Sequence, residues 1–233
     1  MITTHILLYL VLLFAAVLSY LFHKLTLTGA ITGWIISVII ALGTGYLGIS
    51  ELAAFFILSS LATQTKGERR TAGQVIANGG AAAILSLLAI VFRQNVSVLQ
   101  LMLAGSMASA TADTLSSELG TLYGKKFFNI IDFKADQKGL DGVISLEGTL
   151  IGIIGAVIIA GVYCFFNGWS ILFVFVVIAG FIGNISDSIL GAAFERKGII
   201  SNNAVNFLNT VIGAMICCCF VCRTNDLHFL NIK

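Results

Sequence analysis

Asp113 and Glu118 stand near the end of one hydrophobic run, and Asp187 stands near the end of another. Between them lie a turn carrying Gly120, Gly124, Lys125 and Lys126, and then Ser145 and Thr149 at the entry to the next apolar run. These residue types suit a metal-bound polyphosphate. Phosphoryl transfer asks a protein chiefly for positioning and charge neutralisation: carboxylates for Mg²⁺, and basic side chains and backbone N–H groups for phosphates. Mg²⁺ usually takes one or two carboxylates and completes its shell with water and substrate phosphate. Asp113 with Asp187 would therefore suffice, with Glu118 assisting or holding a second ion. Arg69, Arg70, Lys125 and Lys126 would neutralise phosphates, and Ser145 and Thr149 would orient them. The turn over 120–126 lacks the Gly-x4-Gly-Lys-Ser/Thr order of a P-loop and resembles a phosphate nest only loosely.

The elements that must position these groups are set by composition. The chain has 233 residues, 58% hydrophobic and 10% charged, against about 25% charged in a soluble domain. This predicts an all-α integral membrane protein: a single polytopic helix bundle over 1–233, with the lipid bilayer as its solvent. A net charge of +2 argues against nucleic-acid binding. Eight apolar runs, at 6–22, 29–43, 46–64, 74–92, 98–119, 145–166, 170–193 and 203–222, each approach the roughly 20 residues that a membrane crossing needs. Only Gly43, Gly45 and Gly48 separate the second run from the third, so a seven-helix or re-entrant reading is the alternative. No Lys or Arg precedes the first run and its end is bulky, so it reads as a membrane helix rather than a signal peptide. Proline is absent and glycine occurs 24 times, so helix breaks and close helix crossings both fall to glycine.

Under the eight-run layout, ten of the thirteen Lys and Arg fall on one side, at Lys24, in 66–70, in 125–138 and at Arg196 and Lys197. Arg93, Arg223 and Lys233 fall on the other. The positive-inside rule then makes the ten-charge side cytoplasmic and puts both termini outside the cell membrane. Gln74, Asn78, Asp113, Glu118, Asp187, Asn202, Asn206 and Asn209 all lie toward the cytoplasmic side, and no comparable set is expected on the outer side. An ionisable residue inside a membrane helix costs roughly 2.5–3.5 kcal/mol even on a lenient scale, so it normally faces a bundle interior or a water-filled cavity. Ser106, Ser109, Asp113 and Ser116 form one narrow helical face, as do Asn184, Asp187, Ser188 and Glu195, and Asn202, Asn206 and Asn209. One cytoplasm-facing cavity is therefore expected, walled by the fourth, fifth, seventh and eighth runs.

Blander readings stand beside these. Asn184, Asn203 and Asn209 suit interhelical hydrogen bonding equally well, whereas Asn78, Asn202 and Asn206 are better placed as ligands. Lys134, Lys138 and Lys197 read as the topology signal. The carboxylates could instead be buried ion-pair partners of Arg69, Arg70 or Arg196. Cys217, Cys218, Cys219 and Cys222 lack the neighbours of a zinc site and read as small apolar residues, and His5, His23 and His228 as membrane-interface residues. A short likeness around Asp113 and Asp187 hints at an internal duplication.

Lys66-Gly-Glu-Arg-Arg70 with Gln74-Val-Ile-Ala-Asn78, Ala112-Asp-Thr-Leu-Ser-Ser-Glu-Leu-Gly120, Asp141-Gly-Val-Ile-Ser-Leu-Glu-Gly-Thr149, and Asp187-Ser-Ile-Leu-Gly191 with 202–206 resemble the integral membrane family that contains the plant and cyanobacterial phytyl-phosphate kinase. More distantly, Asp113 through Thr149 is similar to the CTP-dependent phytol and dolichol kinases and the CDP-diacylglycerol synthases. The resemblance implies transfer of a phosphoryl group from CTP or another nucleoside triphosphate to an isoprenoid monophosphate, with Asp113, Glu118 and Asp187 at the acidic motif positions. Two other readings use similar parts: a secondary transporter with intramembrane carboxylates, and a cytidylyltransferase that forms a CDP-lipid. Oligomeric state is left open by the sequence.

Overall fold

The computed structural model describes residues 2–63 and 69–224. Of the residues weighed above, Lys66, His228 and Lys233 lie outside the described residues, as do the side chains of His5 and Arg223. Among the described residues there are seven α-helices: α1 (Ile2–Leu21), α2 (Leu27–Ala62), α3 (Ala72–Val91), α4 (Val96–Tyr123), α5 (Leu146–Asn167), α6 (Leu172–Leu190) and α7 (Asn202–Thr224). Five of the helical segments, including α2 but not α4, are long and apolar enough to cross a membrane.

The helices begin where the sequence supplies caps. Thr26 accepts from the N–H of Gly29 at 3.0 Å, and Ser145 accepts from the N–H of Gly148 at 3.1 Å. Thr71 and Gln74 form a reciprocal capping box at the start of α3, so two donors that the first turn would leave orphaned are satisfied.

The 36 residues of α2 would form a rod about 54 Å long if straight. Instead both of its ends meet at Arg70. Thr26, before the first turn, donates its N–H to the Arg70 carbonyl at 3.0 Å, while the Arg70 guanidinium donates to Ser59 Oγ at 2.7 Å and to Thr63 Oγ1 at 3.3 Å, at the far end. The chain can do this only by reversing at Gly45, whose φ of 68° and ψ of −147° are the non-helical values inside the element. That conformation is essentially reserved for glycine. Counted as two antiparallel legs, α2 restores the eight runs read from the sequence, with 29–43 and 46–64 as separate crossings.

α4 is the hub, packing on α2, α3, α5, α6 and α7, and every residue from Leu103 through Asp113 is buried. Small residues let it be surrounded. A Cβ on Gly105 would fall 2.5 Å from the carbonyl of Gly213, and one on Gly148 would fall 2.8 Å from the carbonyl of Ser116. Close backbone approach of this kind replaces the hydrophobic drive that helices lack in lipid.

Because the legs alternate, one end of the bundle collects the N-termini of α3, α5 and α7 and the C-terminal ends of α4 and α6. There the connection from α4 to α5 is closed by a two-residue antiparallel ladder, β1 (Phe128–Asn129) with β2 (Val143–Ile144). α6 runs on through a π-helical turn over Gly191–Glu195, a local widening that often accompanies functional sites. The Gly45 bend lies at the opposite end, where Gln100 of α4 donates to the Thr44 carbonyl at 3.1 Å.

Candidate functional site

The gathered helix ends enclose a polar cavity of about 380 Å³. Its wall contains Arg69, Arg70, Asn78, Asp113, Glu118, Ser145, Thr149, Asp187, Asn202 and Asn206, so residues spread over more than 130 positions of sequence share one space. Lys125 and Lys126 are not among the residues that line it. Both are exposed, on a turn that leaves α4 at Gly124 with extended backbone, and the Lys125 N–H donates to Glu147 Oε2 at 3.3 Å.

The acidic side of the cavity is built by α4 and α6. Asp113 is buried, and its carboxyl lies against that of Asp187. Asn209 donates Nδ2 to Asp187 Oδ1 at 2.7 Å. Ser109 fixes Asn209 in turn, and Ser116 donates to Asn184 Oδ1 at 2.8 Å. Asn184 and Asn209 are thus the scaffold of the acidic pair. The charges acting on Asp113 are the carboxylates of Asp187, Glu195 and Glu118, and Asp141 acts on Asp187. Arg196 does not pair with Asp187. It binds Asp136 in the exposed connection, at 2.6 Å.

Two contacting carboxylates in a low-dielectric setting repel unless a cation or a shared proton lies between them. The pair fits an ion that takes one or two carboxylates and leaves its other positions to phosphate and water. Among the described residues no group of three or more His, Cys, Asp and Glu is gathered to hold a metal, so Glu118 does not join Asp113 and Asp187 in one donor set. The spacing explains this, because five residues turn a helix by about 140° beyond a full revolution. Glu118 instead bears on the charge of Arg70.

The basic side is partly committed. Arg70 holds the end of α2 through Ser59 and Thr63 and lies 5.9 Å from the centroid of the Phe55 ring. Burial lowers its pKa, while Glu118 raises it; at Arg values the group stays charged. Arg69 contacts His23 Nδ1. Ser145 spends its hydroxyl as the cap of α5, and Thr149 Oγ1 donates to the Ser145 carbonyl at 3.0 Å. Both residues thus shape the first turn of α5 while lining the cavity.

That turn is itself part of the site. Gln74 and Asn78 near the start of α3, Gly148 and Thr149 at the start of α5, and Asn202 and Asn206 at the start of α7 all line the cavity. Three helix N-termini thus border one space, and the positive ends of helices favour anions. Sequence reasoning placed the individual residues but not this convergence.

Asp141 and Glu195 were also missed as site residues. Gly142 explains how Asp141 arrives: its φ is +74°, and a Cβ there would fall 2.6 Å from the Ala192 nitrogen, so the connection presses on the π-helical turn that carries Glu195. The only signals were their presence in the Asp141-Gly142 motif and on the Asp187 stripe.

One buried carboxylate lies elsewhere. Glu51, on the second leg of α2, is 0% exposed, and its neighbours include Tyr163 and Cys217 in the half of the bundle away from the cavity. That half of the bundle is therefore less uniformly apolar than expected.

A family model described as integral membrane protein DUF92 matches residues 10–214. An uncharacterized membrane protein of Methanocaldococcus jannaschii is 37% identical over 199 residues, covering 81% of this chain and 82% of that one. Protein VTE6, chloroplastic, of Arabidopsis thaliana is 31% identical over 192 residues, covering 74% of this chain and 58% of the plant protein. An uncharacterized membrane protein of Synechocystis is 31% identical over 202 residues, covering 78% and 77% of the two chains. No solved structure matches.

Proposed function

The chain belongs to the DUF92 family of integral membrane proteins, and from that premise we propose that it is a Mg²⁺-dependent kinase of isoprenoid monophosphates, using CTP or another nucleoside triphosphate and facing the cytoplasm. The observation that carries this reading is the opposition, across one cavity, of the Asp113–Asp187 pair and three helix N-termini flanked by Arg69 and Arg70. Such a site suits a metal-bound polyphosphate better than a neutral solute. The motif resemblance to the phytyl-phosphate kinase family, together with the 31% identity to the plant relative, supplies the isoprenoid acceptor.

In this reading an oxygen of the prenyl monophosphate attacks the terminal phosphorus of the nucleotide, and a nucleoside diphosphate leaves. Asp113 and Asp187 would hold the Mg²⁺, which when bound offsets negative charge on the phosphates. The N-termini of α3, α5 and α7 donate N–H groups to phosphate oxygens, with Asn78, Asn202 and Asn206 beside them. Asn209 keeps the Asp187 carboxyl oriented, and Glu118 offsets the charge of Arg70 at the basic wall. The protein does no covalent chemistry, as positioning and electrostatics suffice for phosphoryl transfer. The excess of basic residues at this end of the bundle supports cytoplasmic access.

The test is purified protein with Mg²⁺, a panel of nucleoside triphosphates, and phytyl, farnesyl or geranylgeranyl monophosphate, read by product mass. Prenyl diphosphate is the expected product. A nucleotidyl lipid with release of pyrophosphate would replace the kinase by a cytidylyltransferase, and flux of solute into liposomes without turnover would replace it by a transporter.

A further inference from the structure

Beside the polar cavity lies a second one of about 510 Å³, within the range of single-ligand sites. Its wall is made by α1, both legs of α2 and the start of α3, and is apolar along most of its length, with Leu12, Ala16, Trp34, Leu52, Phe56 and Val75 among its residues. At one end the chemistry changes. Arg70, Gln74 and Asn78 line this groove, and the same three residues line the polar cavity. The two spaces therefore meet across the first turns of α3.

Two buried polar atoms near this groove have no hydrogen-bond partner: Asn78 Oδ1 at the junction and Trp34 Nε1 in the groove wall. Asn78 is 9% exposed, and its Nδ2 is already donated to the Gln74 carbonyl at 3.0 Å. Buried polar atoms are seldom left unsatisfied, and Asn78 Oδ1, an acceptor, asks for a donor such as water or a protonated head group where the two spaces meet. Along α1 the lining runs from Phe22 to Leu12, about 15 Å of helix, roughly half of the hydrocarbon thickness. The groove thus has a charged mouth, an apolar body about half a leaflet pair deep, and room for one chain.

We infer that this groove holds the isoprenoid chain of the lipid monophosphate, its phosphate passing Asn78 and Arg70 into the polar cavity. The assignment rests on the prenyl-phosphate reading above for the identity of the lipid, and on the shared wall for its path. Ala16, Ala30 and Gly33 are the small residues that leave the space open, and a large side chain at position 16 fills it.

The test uses farnesyl monophosphate carrying a photoreactive diazirine on its last isoprene unit, with the full chain in lipid nanodiscs and no nucleotide. Adducts should map to Leu12, Ala16, Trp34 or Leu52 and be competed by unlabelled farnesyl monophosphate. Ala16→Trp should lower labelling at least tenfold, while Val157→Trp, on the exposed side of α5, should leave it unchanged. Adducts confined to lipid-facing positions of α5, α6 and α7, or Ala16→Trp labelled as wild type, would overturn the groove. The readout needs no turnover, so the two readings fail separately. Groove adducts with no kinase product would sink the kinase alone, and diphosphate product with adducts elsewhere would sink the groove alone.

Discussion

Asn209 donates to Asp187 Oδ1 at 2.7 Å while its own side-chain carbonyl accepts from Ser109 Oγ at 3.1 Å. The asparagine is fully buried and joins α4, α6 and α7 at the acidic pair. Asn209→Leu keeps the branched shape but strips Asp187 of its donor. A hydrogen bond to a charged group is worth about 1.5–3 kcal/mol, so kcat should fall about tenfold to a hundredfold with a folded protein and a smaller change in KM for the prenyl phosphate. An equal loss in KM alone would assign Asn209 to substrate binding instead.

Asp113→Asn and Asp187→Asn should each abolish measurable turnover, because the amide keeps the shape and loses the charge that draws in the cation. The double variant should be no worse than either single one, as expected for residues that act as a unit. Asp113→Asn with wild-type turnover would remove α4 as the catalytic centre.

Gly142 and Gly139 both have positive φ, at 74° and 83°, but only Gly142 is crowded. Gly139→Ala should cost about 1 kcal/mol or slightly more, the usual penalty of a left-handed conformation. Gly142→Ala adds a clash with Ala192 backbone and should displace Asp141 from the π-helical turn, lowering both thermal stability and turnover. Comparable effects of the two changes would show that the docking of this connection is unimportant.

Asp136 is held at about 2 by the hydrogen bond from Arg196, below the ordinary value of about 3.9. A depressed carboxyl contributes stability that is complete above its ordinary value and lost as pH falls toward about 2. The Tm gap between wild type and Asp136→Asn should therefore be constant at neutral pH and shrink below about pH 4. A gap that stays constant into acid would mean that the Asp136–Arg196 pair does not form in solution.

Topology can be checked with cysteines on opposite ends of the bundle, in a chain whose five native cysteines are replaced. Lys134→Cys should react only from the cytoplasmic side, and Gln94→Cys only from the other. Reversed labelling would turn the site outward and exclude cytoplasmic nucleotide.

Much of this arrangement was legible because membrane insertion makes polarity expensive. Asp113, Asp187, Asn202 and Asn206 stood out against apolar helices, and their shared side followed from counting crossings. What stayed hidden depends on long-range geometry. Ser145 both lines the cavity and caps α5, and Lys125 and Lys126 stay exposed beyond Gly124, outside that lining. Arg70 is half structural because it closes both ends of α2, a contact between positions 26, 59 and 70 that no local pattern announces. Glu51 was overlooked because it stands alone on an apolar leg with no periodic polar partner. The convergence of three helix N-termini is a property of the bundle rather than of any motif.

Gly45 decides an odd-or-even question for the whole chain. Nothing lies within 4 Å of where its Cβ would be, so space does not demand glycine there; the backbone angles do. With any other residue the 36 residues of α2 are biased toward one continuous rod, too long for a hydrocarbon core of about 30 Å and counting as a single crossing. Every later helix would then be inverted, carrying Asp113, Asp187 and the basic connections to the opposite face against the positive-inside preference. One achiral residue at the opposite end of the bundle thus sets which face of a membrane the cavity would open to.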